Sequence, residues 1–112
     1  MYKRLVLSHA AASQQALVAA VASSIIRVLA LAVYAAGDVT VVFQSADTAL
    51  TGVMTLSKTG SFISVPLLAL GGGANFAPLL QTASGEALNW TLGGAVQCSG
   101  WMLYDVLADA LN

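Results

Sequence analysis

One run of residues, 25–35, constrains the fold of this chain more than any other feature. Its odd-numbered and its even-numbered positions are both apolar, apart from Arg27. Successive side chains of a β-strand point to opposite faces, so a strand of this kind is covered on both sides. Two apolar sets alternate along the run: Ile25, Leu29, Leu31 and Val33 on one parity, and Ile26, Val28, Ala30 and Ala32 on the other. Its single charge is Arg27, which we expect near a strand end or paired at an interface.

The residues that end this run have the composition of a tight turn. They read Ala35-Ala36-Gly37-Asp38. In the residues that follow, the apolar Val39, Val41 and Phe43 alternate with Thr40, Val42 and Gln44. Glycine and aspartate are common turn residues. Residues 25–45 are therefore predicted to form one long β-hairpin.

Turn residues and period-two alternation divide the rest of the chain into further short strands. These predicted strands are residues 2–7, 16–21, 48–57, 62–67, 76–81, 88–92 and 96–106. About eight strands separated by turns are typical of an all-β fold, an antiparallel, jelly-roll-like β-sandwich. The length predicts a single domain over residues 1–112, in which residues 1–23 can serve as an N-terminal arm or strand used in assembly. A helix over residues 10–22 is the alternative there, because Ala and Gln favour helix.

The chain carries too few charges to coat a folded domain. Only 8% of its residues are charged and 58% are hydrophobic, whereas ordinary soluble domains have ~25% charged residues. With a net charge of −1 the folded protein repels itself weakly, so association with other protein or with lipid is expected. The four cations, Lys3, Arg4, Arg27 and Lys58, are scattered, which argues against nucleic acid as a partner because counterion release needs clustered cations.

A membrane-spanning helix is the first alternative that this hydrophobicity raises. The best window is residues 15–37, but Arg27 lies near its middle and costs ~2.5–3.5 kcal/mol on insertion. A signal peptide is not indicated either, because the apolar residues after Lys3 and Arg4 end at Ser8. We therefore expect no membrane partner and keep a small membrane protein of the holin type as an alternative.

Few residues of this chain could support catalysis. His9 is the only candidate imidazole base, and its polar surroundings predict a solvated or capping residue. Cys98 could act as a nucleophile only beside His9, and its apolar neighbours indicate a small buried thiol. One histidine and one cysteine cannot complete a zinc site, and a lone cysteine excludes a disulfide within the chain.

The remaining candidates have simpler interpretations. Asp105 and Asp109 are interpreted as solvated charges near the C terminus rather than as a metal or acid/base pair. The run Gly71-Gly72-Gly73 lacks the Lys-Ser/Thr of a phosphate-binding loop. Four aromatic residues are expected to be core or interface anchors, with a sugar-stacking platform as the alternative: Tyr34, Trp90, Trp101 and Tyr104. We therefore predict no enzyme, no cofactor and no metal site.

The doubly apolar strand is expected to lie between the protein's own core and a neighbouring subunit. The candidate oligomer interface consists of Ile25, Arg27, Leu29, Leu31, Val33 and Trp101.

Five strand and turn segments follow one another in a distinctive order: Ile26-Arg27-Val28-Leu29, Tyr34-Ala35-Ala36-Gly37-Asp38-Val39-Thr40-Val41, Thr48-Ala49-Leu50-Thr51-Gly52, Thr82-Ala83-Ser84-Gly85-Glu86-Ala87-Leu88-Asn89 and a closing strand over residues 96–104. Together they resemble small β-sandwich virion proteins of tailed bacteriophages and prophages. The resemblance implies a compact β-sandwich that assembles, often as a homotrimer, on the virion. The N-terminal segment and residues 105–112 depart from it.

The resemblance also implies a function. A capsid decoration (cement) protein is a structural virion protein that oligomerises on the capsid exterior and stabilises the phage head by bridging capsomers of the major capsid protein. Such a protein is made in the host cytoplasm. The alternative is a head- or tail-fibre adhesin module that binds a host glycan through Trp90, Trp101 and the loop around Asn75.

Overall fold

All regular structure in this protein is β-strand within residues 3–57, 62–65 and 80–108, the ranges that the computed structural model describes. The strands are β1 (Lys3–His9), β2 (Gln14–Val18), β3 (Ser24–Ala35), β4 (Val39–Ser45), β5 (Thr48–Ala49), β6 (Met54–Leu56), β7 (Phe62–Val65), β8 (Leu80–Gln81), β9 (Leu88–Leu92) and β10 (Cys98–Ala108). All pairs are antiparallel. The predicted all-β antiparallel fold is confirmed.

The strands form two five-stranded sheets. Sheet I has the order β1-β10-β3-β7, with β8 also paired to β3, and sheet II has the order β2-β9-β4-β5, with β6 also paired to β4. Because β7 and β8 share one neighbour and β5 and β6 share another, the ten strands fill eight strand positions. The chain repeatedly crosses from one sheet to the other, and its first and last strands are neighbours. This arrangement confirms the jelly-roll-like sandwich.

The core fills the space between the two sheets. Sheet I contributes Leu7, Ile26, Val28, Leu31, Val33 and Met102, and sheet II contributes Leu17, Val41, Phe43, Leu88, Trp90 and Leu92. Trp90 is completely buried, and its ring centroid lies 5.7 Å from that of Phe43. Outside β3, these residues follow the alternation seen in the sequence, so each strand turns one apolar row inward.

The predicted hairpin over residues 25–45 is wrong in its pairing, although both of its strands exist. β3 pairs with β10 in sheet I, whereas β4 pairs with β9 in sheet II. The connection between them is held by a hydrogen bond from the Ala36 N–H to the Gln97 carbonyl, 2.9 Å long. Turn residues mark where the chain bends, but they do not specify which sheet receives the next strand.

A β-bulge in β3 changes which of its residues face the core. Leu103 pairs with Ala30 and Tyr104 pairs with Val28, so Leu29 has no partner in β10. The extra residue reverses the alternation after Val28. As a result Leu31 joins the core even though it shares its sequence parity with Ile25.

The segment 82–89, which forms part of the resemblance, ties the two sheets together. The Ile26 N–H donates to the Thr82 hydroxyl over 2.9 Å, and the Thr82 N–H donates to the Ile26 carbonyl over 3.0 Å. The Ser45 hydroxyl accepts from the Ala83 N–H at 2.9 Å and donates to the Glu86 carboxylate at 2.5 Å. This segment therefore joins β3 of sheet I to β4 of sheet II.

Other predicted elements differ in their bounds. The predicted strand 48–57 is divided into β5 and β6, and residues 10–22 contain β2 rather than a helix. Within the predicted N-terminal arm, Lys3–His9 and Gln14–Val18 form β1 and β2, which are outer strands of the two sheets. Of predicted strand 76–81, β8 is described. Gly71-Gly72-Gly73, Asn75 and Asp109 lie outside the described residues.

In the ranges given above, no helix has the length and apolar character needed to cross a bilayer.

Candidate functional site

The outer face of sheet I carries a continuous row of apolar side chains. Trp101 of β10 lies between Val6 of β1 and Ala32 of β3, and Leu103 lies between Arg4 and Ala30. The larger side chains are partly open to solvent, with Val6 68% and Trp101 40% exposed, whereas Ala30 and Ala32 are buried. We call this set the outer apolar surface: Val6, Ile25, Ala30, Ala32, Tyr34, Trp101, Leu103 and Leu107. Such a surface on a folded domain marks a contact with another molecule.

An ion pair lies within this surface. Arg27 Nε donates to Asp105 Oδ1 over 2.8 Å, and Arg27 Nη2 contacts Asp105 Oδ2, so the pair is bidentate. The Asp105 side chain is only 8% exposed and that of Arg27 is 23% exposed. The interpretation of Asp105 as a solvated charge is therefore wrong. The two residues are 78 positions apart, and the register of β3 with β10 brings them together.

The six candidate interface residues separate into two groups. Ile25, Arg27 and Trp101 lie on the outer face of sheet I. Leu31 and Val33 lie in the core, so these two cannot present a surface to another subunit. Leu29 is buried at the bulge. The expectation that all four apolar residues of one parity share a face fails because the bulge reverses the alternation.

The outer face of sheet II is polar instead. Gln14 Nε2 donates to Gln44 Oε1 over 2.9 Å, and the Thr91 hydroxyl donates to the same oxygen over 2.7 Å. Thr40 of β4 lies opposite Thr55 of β6 on this face. The two faces of the sandwich therefore differ in chemistry, and only that of sheet I is apolar among the described residues.

The aromatic residues have three different environments. Trp90 is in the core, where its indole N–H donates to His9 Nδ1 over 3.1 Å, so it cannot stack on a sugar. Tyr104 packs against the core from its edge. Tyr34 is 54% exposed, and it lies with Trp101 on the outer face of sheet I. The sugar platform that includes Trp90 is thus excluded.

His9 and Cys98 are directly opposite each other in the pairing of β1 with β10. The ring of His9 packs against the ring of Trp90, and the two ring centroids are 5.5 Å apart in an edge-to-face arrangement. Cys98 is completely buried, and burial raises the pKa of its thiol. A buried, protonated thiol is a poor nucleophile. His9 therefore lies at the end of strand β1 rather than in a polar turn, and it accepts the hydrogen bond from the indole N–H of Trp90.

We expect substitution of His9 to test this hydrogen bond. His9→Leu leaves the buried indole N–H of Trp90 without an acceptor, which lowers the free energy of unfolding by about 1–3 kcal/mol. His9→Asn is the matched control, because its Oδ1 can occupy the place of Nδ1, and a smaller loss is expected. Urea unfolding followed by tryptophan fluorescence measures both. Equal losses would show that the hydrogen bond contributes nothing.

We expect the thiol of Cys98 to be unreactive in the folded protein. Complete burial blocks access, and the raised pKa keeps the thiol protonated at neutral pH. A colorimetric disulfide reagent should detect no thiol under native conditions and one per chain in guanidinium chloride. Rapid native labelling would contradict the placement of Cys98 in the core.

The fold and the site define the class of this molecule: a jelly-roll β-sandwich with an apolar outer face on one sheet and a polar outer face on the other. Neither a protein-family model nor a curated protein sequence matches the chain. Within the described ranges, no three side chains of His, Cys, Asp or Glu gather as metal ligands would.

Proposed function

We propose that this chain is a structural protein of a tailed-phage virion, a capsid decoration protein that associates with copies of itself and with the major capsid protein. The observation that supports this proposal is the outer apolar surface of sheet I. Apolar patches on stable domains favour contact with other proteins. The low charge of the chain, 8% of residues, adds to this tendency. Its place is the capsid exterior, after synthesis in the host cytoplasm.

The ion pair makes this surface suitable for burial against another protein. An unpaired charge that loses its water is costly, whereas Arg27 and Asp105 already neutralise each other within the protomer. Trp101 and Val6 beside them supply apolar area, and tryptophan is a frequent anchor at interfaces. Covering Trp101, Val6 and the ion pair therefore removes apolar surface from water and leaves neither Arg27 nor Asp105 without its counter-charge.

Decoration stabilises a shell by adding contact area across the joints between capsomers. A complex of several copies binds at several points, so weak individual contacts together retain it on the shell. The resemblance implies three copies at a local three-fold axis. In this arrangement the polar outer face of sheet II is directed to solvent.

Co-sedimentation with empty capsids of the source phage tests the proposal. Trp101→Lys removes an anchor and adds a charge to the outer apolar surface, and we expect binding to weaken at least ~30-fold, as for loss of an interface hot spot. Val53→Lys is the matched control, because Val53 is 69% exposed and lies outside sheet I. Failure of the wild-type protein to sediment with capsids, or equal binding by both variants, would reject the proposal.

A glycan-binding adhesin module is the second candidate. It is favoured by the exposed rings of Tyr34 and Trp101, which occupy diagonal positions across β3 and β10. Diagonal side chains on a sheet are within reach of one another when they are aromatic. Binding to a glycan array that Trp101→Ser abolishes, without sedimentation on capsids, would favour this function over decoration.

A further inference from the structure

The outer strands of the two sheets differ in how well they are protected against pairing with another chain. Among the described residues, three of the four edge positions are interrupted. β5 and β6 have two and three residues, β7 and β8 have four and two, and β2 has a register irregularity between Ala16 and Val18. Short and bulged edge strands are the usual means of preventing edge-to-edge pairing.

The fourth edge, β1, lacks this protection. Its seven residues pair with seven consecutive residues of β10 without a bulge. In the described part of the chain no strand pairs with its other side. The charges of β1 are confined to Lys3 and Arg4 at its start, and Val6 at its midpoint is 68% exposed. A long, regular edge of this kind is a template for one more strand.

We propose that β1 pairs with β1 of a second copy of this chain, antiparallel and about a two-fold axis at Val6. A two-fold contact brings the same surface of both copies together, so the strand must be complementary to itself. With the axis at Val6, Val6 faces its own copy and Arg4 faces Ser8. Lys3 faces His9, so the charges at the start of β1 are directed away from each other.

The charges of β1 favour an antiparallel pair of copies over a parallel one. A parallel arrangement of two copies would place like charges of Lys3 and Arg4 side by side, which destabilises strand pairs. The antiparallel pairing joins two five-stranded sheets into one of ten strands. Because Val6 lies beside Trp101, the outer apolar surfaces of the two copies become continuous.

This β1–β1 contact rests on the self-association in the proposed function and supplies the strand through which two copies meet. It gives a two-fold dimer in place of the trimer that the resemblance implies. The dimer requires no capsid, so light scattering on the purified chain tests it separately from capsid binding. A dimer that does not bind capsids would reject decoration alone, and capsid binding by a monomer would reject the dimer alone.

Cysteine cross-linking tests the register. Val6→Cys is expected to form a disulfide between two copies under mild oxidation, because directly opposite Cα atoms of antiparallel strands are ~4.5–5.5 Å apart, within the range that a disulfide spans. Ser8→Cys alone is expected not to cross-link, because its own counterpart is about 13 Å away along the strand. An equal mixture of Ser8→Cys and Arg4→Cys should cross-link to each other. The native Cys98 is buried and does not compete.

Charge substitution tests the contact without oxidation. Val6→Lys places two ammonium groups opposite each other, and the mass by light scattering should fall from twice 11.4 kDa to 11.4 kDa. Val53→Lys, at an equally exposed valine away from β1, should leave the dimer intact. The circular dichroism of both variants should match the wild type, because both valines face solvent.

Three results would overturn the inference. They are a wild-type mass of one or of three chains, an unchanged dimer in Val6→Lys, and self-cross-linking of Ser8→Cys as efficient as that of Val6→Cys.

Discussion

Gly100→Ala is expected to abolish stable folding. Gly100 has φ = +149°, and a Cβ at this position would lie 1.9 Å from the carbonyl oxygen of Ala32 and 3.1 Å from Cα of Val33. Both atoms belong to the backbone of β3, so no side-chain rotation relieves the clash. Overpacking and backbone strain each cost about 1–3 kcal/mol or more. Their sum, about 2–6 kcal/mol or more, reaches the lower end of the stability of a small domain, about 5–15 kcal/mol.

Two other glycines serve as controls for Gly100. Gly85 has φ = +79° with no heavy atom within 4 Å of a built Cβ, so Gly85→Ala isolates the backbone strain, about 1–2 kcal/mol. Gly52 has neither a neighbour within 4 Å nor a positive φ, so Gly52→Ala should change stability by less than about 0.5 kcal/mol. Thermal unfolding should rank the three variants in this order. Normal folding of Gly100→Ala would contradict the close packing of β10 on β3.

Breaking the ion pair on one side is expected to cost about 2–4 kcal/mol. Arg27→Met leaves the carboxylate of Asp105 nearly buried without its cation, and removing one partner of a buried pair is strongly destabilising. The expected loss lies in the lower part of the range for buried pairs, because the Arg27 side chain keeps 23% exposure to water.

The double variant Arg27→Met/Asp105→Leu is expected to recover most of this loss. It removes both charges, and apolar replacement of a buried ion pair is often neutral or stabilising. Urea unfolding of the wild type, both single variants and the double variant forms a double-mutant cycle that measures the coupling. Additive losses would show that the two residues do not stabilise each other.

Much of the strand content could be predicted from local patterns. The closing strand was predicted over residues 96–106 and is β10 (Cys98–Ala108), and residues 88–92 match β9 (Leu88–Leu92). Alternation of apolar and polar residues depends on neighbours in the chain, so it is visible in the sequence. The burial of Trp90 and Cys98 follows from the same pattern.

The candidate site could be predicted only in part. Of the candidate interface residues, Ile25, Arg27 and Trp101 lie on the outer face of sheet I. Val6 was missed because no local pattern distinguishes an outward-facing valine of an edge strand from one in a core strand. Leu31 was misplaced because the bulge at Leu29 has no sequence signal in a run that is apolar throughout.

The amino-acid sequence by itself determined that this protein is built of strands, roughly where those strands lie, and that its surface is poor in charge. Tertiary structure alone decided that β3 and β4 belong to different sheets, that Arg27 meets Asp105, and that no other described strand pairs with the outer side of β1. The physical reason is that strand formation depends on residues close in sequence. Strand partners, in contrast, are chosen by the packing of two whole sheets across one core.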